Sequence, residues 1–234
     1  FDISRPAAEA YALLLDLEDS VAPDQKDTAR AMTRAFLAKG REAPGAPKLW
    51  VRINSLDSDL WEADLAAVMP GAPDGIMQPK TRSGEDVHRL SIALHHAEQT
   101  AGVKSGTTRI VPIISELPIS ILQMPSYIGA STRLAALNWG MEDLSAELGA
   151  ASTRGPDGQI TSPFRLARDL TLYTARAAGL PALDSVYPEF RDLSGLTAEC
   201  VASARDGFTG KAAIHPDQVA VINQAFTPPA DEVA

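Results

Sequence analysis

RIVPIISELP (residues 109–118) and LAALNWGMEDL (residues 134–144) decide how this chain folds. Each is an apolar run without the polar–apolar alternation of a half-exposed strand. Each therefore fits a strand covered on both faces. Each also runs into an acid: Glu116 closes the first run, and Asp143 lies just past the second. Two successive buried strands that deliver carboxylates at their C-terminal ends point to a divalent-cation site at the top of a parallel barrel.

The same pattern recurs on both sides of this stretch. YALLLDLEDSV (11–21) turns acidic at Asp16, Glu18 and Asp19, and KLWVRINS (48–55) ends in Arg52 and Asn54. DGIMQPK (74–80) ends in Lys80, LDSVYP (183–188) carries Asp184, and KAAIHP (211–216) carries His215. Helical patterns separate these runs, at 24–40 with a stop at Gly40, 60–70, 83–102, 117–131 with a break at Pro125, 141–150, 163–179, 194–207 and 217–226. Ser83 is placed as an N-cap and Gly102 as a C-terminal stop. Residues 5–10 read as the end of a helix, 41–47 and 152–162 as loops, and 227–234 as a linker.

Seven strands alternating with helices at this spacing imply a parallel sheet. Polar residues mark the end of every strand instead of gathering at one switch point, and no Gly-rich dinucleotide fingerprint occurs. The expected fold is therefore an α/β TIM (β/α)8 barrel and not a doubly wound sheet. Residues 1–234 read as one barrel domain, with its first strand expected before residue 1.

With 234 residues, 45% hydrophobic and 22% charged, the chain can bury one substantial core. A net charge of -9 weighs against nucleic acid and anionic membrane surfaces as partners. No apolar run approaches the roughly 18 residues needed to cross a bilayer. The single Cys200 leaves no internal disulfide framework and no multi-Cys metal site. It falls in a helical pattern and reads as a buried structural thiol in a reducing, cytoplasmic setting.

At the rim, Glu116 and Asp143 would hold a hard cation and leave positions open for substrate oxygens, which is how magnesium is held. Arg52 would take a substrate carboxylate bidentately. A metal beside an arginine suits an enolate or carbonyl oxyanion next to a carboxylate. Each residue also has a plainer reading. Asp143 could cap a helix, Lys80 could be solvated, Arg52 could pair with a neighbouring acid, Asp184 could cap a loop, and His215 could be structural.

DLEDSVAPDQKDTAR (16–30), VRIN (51–54), QPK (78–80), the ISELP glutamate, GMEDL (140–144), AAGLPALDSVYPEF (177–190) and GFTGKAAIHPDQVAVINQAFTP (207–228) resemble the citrate lyase beta-subunit-like family. These are CoA-ester lyases of the wider hydroxyacid and hydroxyketoacid aldolase superfamily, and the resemblance runs through nearly the whole chain in order. It implies a TIM barrel, a homotrimer or hexamer, Mg2+ as cofactor and a small-molecule acyl-CoA substrate. The implied reaction is carbon–carbon cleavage or formation in a 3-hydroxy-carboxyacyl-CoA such as citryl-CoA or malyl-CoA. The resemblance places the magnesium ligands on Glu116 and Asp143, with Glu116 also against the substrate. It places the substrate-carboxylate arginine on Arg52, and catalytic strand-end acids, which would orient cations or water, on Glu18 and Asp19. It also implies an opening strand, and a C-terminal lid that carries a catalytic acid into a neighbouring subunit, both expected outside residues 1–234. The chain departs from the family in having E-L-P at 116–118 for the usual E-T-P, and W-G at 139–140 for F-G. Two alternatives stand beside the lyase: a malyl-CoA-type thioesterase using the same metal site, and a non-catalytic acyl-CoA-binding barrel.

Overall fold

All seven expected strands form, and every pairing between them is parallel. The computed structural model describes residues 9–39 and 46–228. The strands are β1 (Ala12–Asp16), β2 (Lys48–Arg52), β3 (Gly75–Gln78), β4 (Arg109–Pro112), β5 (Leu137–Asn138), β6 (Ala182–Asp184) and β7 (Gly210–Lys211). They pair in sequence order, β1-β2-β3-β4 and β5-β6-β7, and single bridges Ile110–Leu134 and Ile113–Asn138 join the two sets. Around them run α1 (Lys26–Lys39), α2 (Trp61–Val68), α3 (Gly84–Ala101), α4 (Pro118–Leu122), α5 (Glu142–Leu148), α6 (Ser162–Ala177), α7 (Leu193–Asp206) and α8 (Asp217–Phe226). The helix tail expected at 5–10, the Gly40 stop, the 41–47 loop and the 227–234 end fall wholly or largely outside the described residues, as does any strand before residue 1.

The strands are shorter than their apolar runs. The run at 109–116 leaves regular β4 at Pro112, which has no N–H to give a neighbour. The ladder still continues. Ile113 N–H donates to Gln78 O at 2.9 Å on one side, and Ile114 N–H donates to Asn138 O at 2.9 Å on the other. Successive residues bond to opposite neighbours, as in a curved sheet, and this carries Glu116 to the rim. Beneath it, Leu17, Val51, Ile76, Ile110, Ile114 and Leu137 are fully buried in one core with Tyr127 and Phe164. The Tyr127 hydroxyl finds a partner there by donating to Thr81 O at 2.9 Å.

α3 has both expected ends. Ser83 is extended, and its hydroxyl accepts from Glu85 N–H, while Gly102 takes the left-handed conformation at φ 69°. Ser83→Ala should therefore lower unfolding stability by about 1 kcal/mol, measured by urea titration. The end of α3 is pinned by a buried ion pair. Arg133 forks onto Glu98 with both contacts at 2.8 Å, and Glu98 also accepts from Gly106 N–H (2.7 Å) and Thr108 N–H (2.9 Å). At the other end of the chain, Asn223 in α8 donates to Glu9 O at 2.9 Å and so packs the last helix near the entry to β1. Cys200 lies buried between Leu196 and Ile222, and burial pushes its thiol up to about 11, so it stays a neutral packing group. Among the described residues, no helix is long and apolar enough to cross a membrane.

Candidate functional site

The C-terminal ends of β1 to β5 bring five carboxylates and two cations together. Asp16 ends β1 directly beside Arg52, which ends β2. Arg52 forks onto Asp16 through Nε (2.7 Å) and Nη2 (2.6 Å), and its Nη1 lies 3.1 Å from Glu18 Oε2. Burial alone would raise the Asp16 carboxyl, but Arg52, the Ser20 hydroxyl and Glu18 N–H hold it at about 2. Arg52 is thus paired with two neighbouring acids, Asp16 and Glu18.

Lys80 is the hub. Its ammonium donates to Glu18 Oε1, lies 3.0 Å from Asp19 Oδ2, and lies 3.4 Å from Asp143 Oδ1. Its backbone N–H donates to Glu116 Oε2. Four acids from three different strand ends therefore converge on one residue. Burial works against its charge, yet Glu18, Asp19 and Asp143 hold the ammonium well above the ordinary lysine value. Burial likewise pushes Glu18 upward against the pull of Lys80 and Arg52, while Lys80 holds the more open Asp19 down against its smaller burial.

Glu116 is 3% exposed. Burial raises its carboxyl to about 8, helped by the nearby charges of Asp143 and Glu18 and opposed by Lys80. Asp143 is the second residue of α5, and its side chain keeps 32% exposure. It is not spent on capping: the residue at the start of that helix, Met141, makes no side-chain cap bond.

Other expected rim residues turn away. Asn54 sits behind the site, accepting from Lys26 Nζ at 2.8 Å and donating to Asp64 at 2.7 Å. Asp184 is buried among Trp139 Nε1 (2.5 Å), the Ser203 hydroxyl (2.5 Å) and Lys211 Nζ (3.2 Å). Burial would raise it, but Lys211 and Arg168 hold it below its ordinary value, and it serves as a structural anion. The His215 ring stacks on Phe190 at 4.8 Å and accepts from Asp217 N–H at 3.2 Å, so it shapes the start of α8.

Residues with no obvious signal in the sequence support the site. Lys26 is buried and donates to Leu17 O and Glu18 O, each at 2.7 Å, which fixes the turn that carries Glu18 and Asp19. Asp64 in turn holds Asn54 and accepts from Arg30 Nε at 2.8 Å. A lysine near a helix start and an acid inside a helix look like surface residues until the fold buries them.

The donor set suits a divalent cation with many open positions. Asp16, Glu18, Asp19, Glu116 and Asp143 share two cations, Arg52 and Lys80, and Glu116 is pushed toward its neutral form by burial and by the neighbouring charges of Asp143 and Glu18. Among the described residues, no group of three or more His, Cys, Asp or Glu is arranged around one ion position. Two carboxylates with the remaining positions left to water or ligand oxygens fit magnesium and not zinc, which is held by three or four protein ligands.

The HpcH/HpaI aldolase/citrate lyase family matches residues 4–216. Citrate lyase subunit beta of Escherichia coli (strain K12) is 34% identical over 224 residues, covering 96% of this chain and 72% of its own length. L-malyl-CoA/beta-methylmalyl-CoA lyase of Rhodobacter capsulatus is 32% identical over 249 residues, covering 96% of this chain and 76% of its own. The crystal structure of protein CitE from Mycobacterium tuberculosis, in complex with magnesium, acetoacetate and coenzyme A, aligns with a TM-score of 0.80 at 30% identity, over 97% of this chain and 76% of that one.

Proposed function

This chain belongs to the HpcH/HpaI aldolase/citrate lyase family, and on that footing we propose that it is a magnesium-dependent carbon–carbon lyase. Its substrate is the CoA thioester of a 3-hydroxy-carboxyacyl group, of the citryl-CoA or malyl-CoA type. The relatives supporting this include a citrate lyase subunit beta and a malyl-CoA lyase, and a similar structure is in complex with magnesium and coenzyme A. Within the chain, one observation carries the reading: Lys80 holds Glu116 through its peptide N–H and Asp143 through its ammonium, so carboxylates from the neighbouring β4 and β5 ends flank one residue of the rim.

In this proposal Glu116 and Asp143 hold the ion, and the N–H donors of Arg52 not engaged by Asp16 and Glu18 take a substrate carboxylate. Magnesium, when bound, supplies Lewis-acid polarisation of the substrate oxygen that becomes a carbonyl. Glu18 and Asp19 act through Lys80, keeping its ammonium at the rim. The substrate hydroxyl gives up its proton to a general base as the carbon–carbon bond breaks, leaving a 2-oxo acid and an acyl-CoA enolate, and the enolate carbon then takes a proton back. The same proposal takes residues 1–234 as one barrel domain in a cytoplasmic homo-oligomer, a trimer or hexamer.

Incubation of the full chain with magnesium and citryl-CoA or malyl-CoA, followed by mass spectrometry, tests the reaction class. The expected products are acetyl-CoA with oxaloacetate or glyoxylate. Free CoA with the hydroxy acid intact would replace the lyase with a thioesterase, and unchanged thioesters would replace it with a binding barrel.

A further inference from the structure

The two proposed ligands come from different strands, so their separation has to be fixed across a strand boundary. β4 and β5 meet at the Ile113–Asn138 bridge and through Ile114 N–H to Asn138 O at 2.9 Å. One residue further along, the link is made by a side chain. The fully buried Ser115 hydroxyl accepts from Gly140 N–H at 2.9 Å and lies 3.3 Å from Gly140 O, to which it donates. A serine hydroxyl has one donor and two acceptor lone pairs, so it can bind both backbone groups of one facing residue. Ser115 is the immediate neighbour of Glu116, and Gly140 stands three residues before Asp143.

Gly140 adds a second constraint. A Cβ at this position would lie 2.9 Å from Glu116 Cγ, 3.2 Å from Ile113 Cγ2 and 3.3 Å from Glu116 Oε1. The Glu116 side chain is laid across bare backbone, and any side chain at 140 would push it aside. Its other oxygen, Oε2, is held by Lys80 N–H. Glu116 is thus bounded on two sides, by the absence of atoms at 140 and by a donor at 80.

We infer that Ser115 and Gly140 form a clasp that sets the distance of Glu116 from Asp143, and that both are positioning residues for the divalent cation. The inference rests on the magnesium assignment proposed above. Groups that orient metal ligands from behind typically change metal affinity by about 10–100-fold when removed.

The test is calorimetric titration of the metal-free full chain with magnesium chloride, well below the melting temperature, with melting curves recorded for each variant. Ser115→Ala should weaken magnesium binding about tenfold, and Ser115→Thr, which keeps the hydroxyl, should bind within a few-fold of the parent. Gly140→Ala should weaken binding further, on the order of 10–100-fold. Glu116→Gln and Asp143→Asn run alongside. If those two abolish binding while Ser115→Ala and Gly140→Ala bind like the parent, the clasp is only structural and the inference fails. If Glu116→Gln and Asp143→Asn also bind like the parent, the metal assignment itself fails.

Discussion

Glu116→Gln is expected to lower turnover of the CoA thioester by roughly a thousandfold, about 4 kcal/mol of barrier. Gln keeps the shape of the side chain and can still accept from Lys80 N–H, so the variant removes charge and little else. What it removes is one of the two carboxylates proposed to hold the ion. The melting temperature should hold or rise, because a 3%-exposed carboxyl beside Asp143 and Glu18 gives way to a neutral amide. Falling activity with unfallen stability separates a chemical role from a structural one. Asp143→Asn should act in the same direction. Steady-state kinetics at saturating magnesium checks both, and parental turnover in Glu116→Gln would end the assignment.

Arg133→Met is expected to cost about 3–5 kcal/mol of unfolding stability, far from the rim. The substitution strands Glu98, which is buried and otherwise held by Arg133 and two backbone N–H groups. Burial alone would raise the Glu98 carboxyl, yet those partners draw it from 4.5 down to about 2. The folded value is the lower one, so this group contributes its stability fully above about pH 4.5 and loses it as pH falls through about 2. Urea unfolding at neutral and acidic pH should show the gap between parent and Arg133→Met narrowing toward acid. A gap that stays constant with pH would mean that Glu98 is not the group left unpaired. Adding Glu98→Gln to Arg133→Met should recover part of the loss, since the two residues act on one another.

Much of the fold can be read from the sequence, because its signals are local. Apolar runs without alternation, helices between them, Ser83 at one helix start and Gly102 at its end need no knowledge of distant neighbours. Glu116 and Asp143 are legible for the same reason, each following a buried run. Which rim acid meets which cation is a matter of strand register. Arg52 reads either as a substrate-binding group or as the partner of a neighbouring acid, and only its register with Asp16 shows which acid it meets. Asp184 and His215 share the strand-end signature of the site acids. Asp184 turns inward to Lys211 and Ser203, and His215 stacks on Phe190, because those partners, distant in sequence from the rim strands, are supplied only by the fold. Ser115 and Gly140 carry no signal on their own: a serine before a glutamate and a glycine after a tryptophan matter only once β4 lies against β5.

Lys80 has one more consequence. Its backbone sits at φ 49°, and among the described residues only Ala72 is the other non-glycine with positive φ. That conformation aims its N–H at Glu116 while its side chain reaches Glu18, Asp19 and Asp143. The residue thus acts through two channels, its ammonium and its peptide N–H. Every exchange at position 80 except to proline leaves the peptide donor in place, and proline, fixed at about φ -65°, would also break the local backbone, so a mutational scan records the ammonium and does not isolate the amide. Replacing that peptide bond with an ester, by chemical synthesis or genetic-code expansion, would remove the N–H alone and isolate its part in holding Glu116.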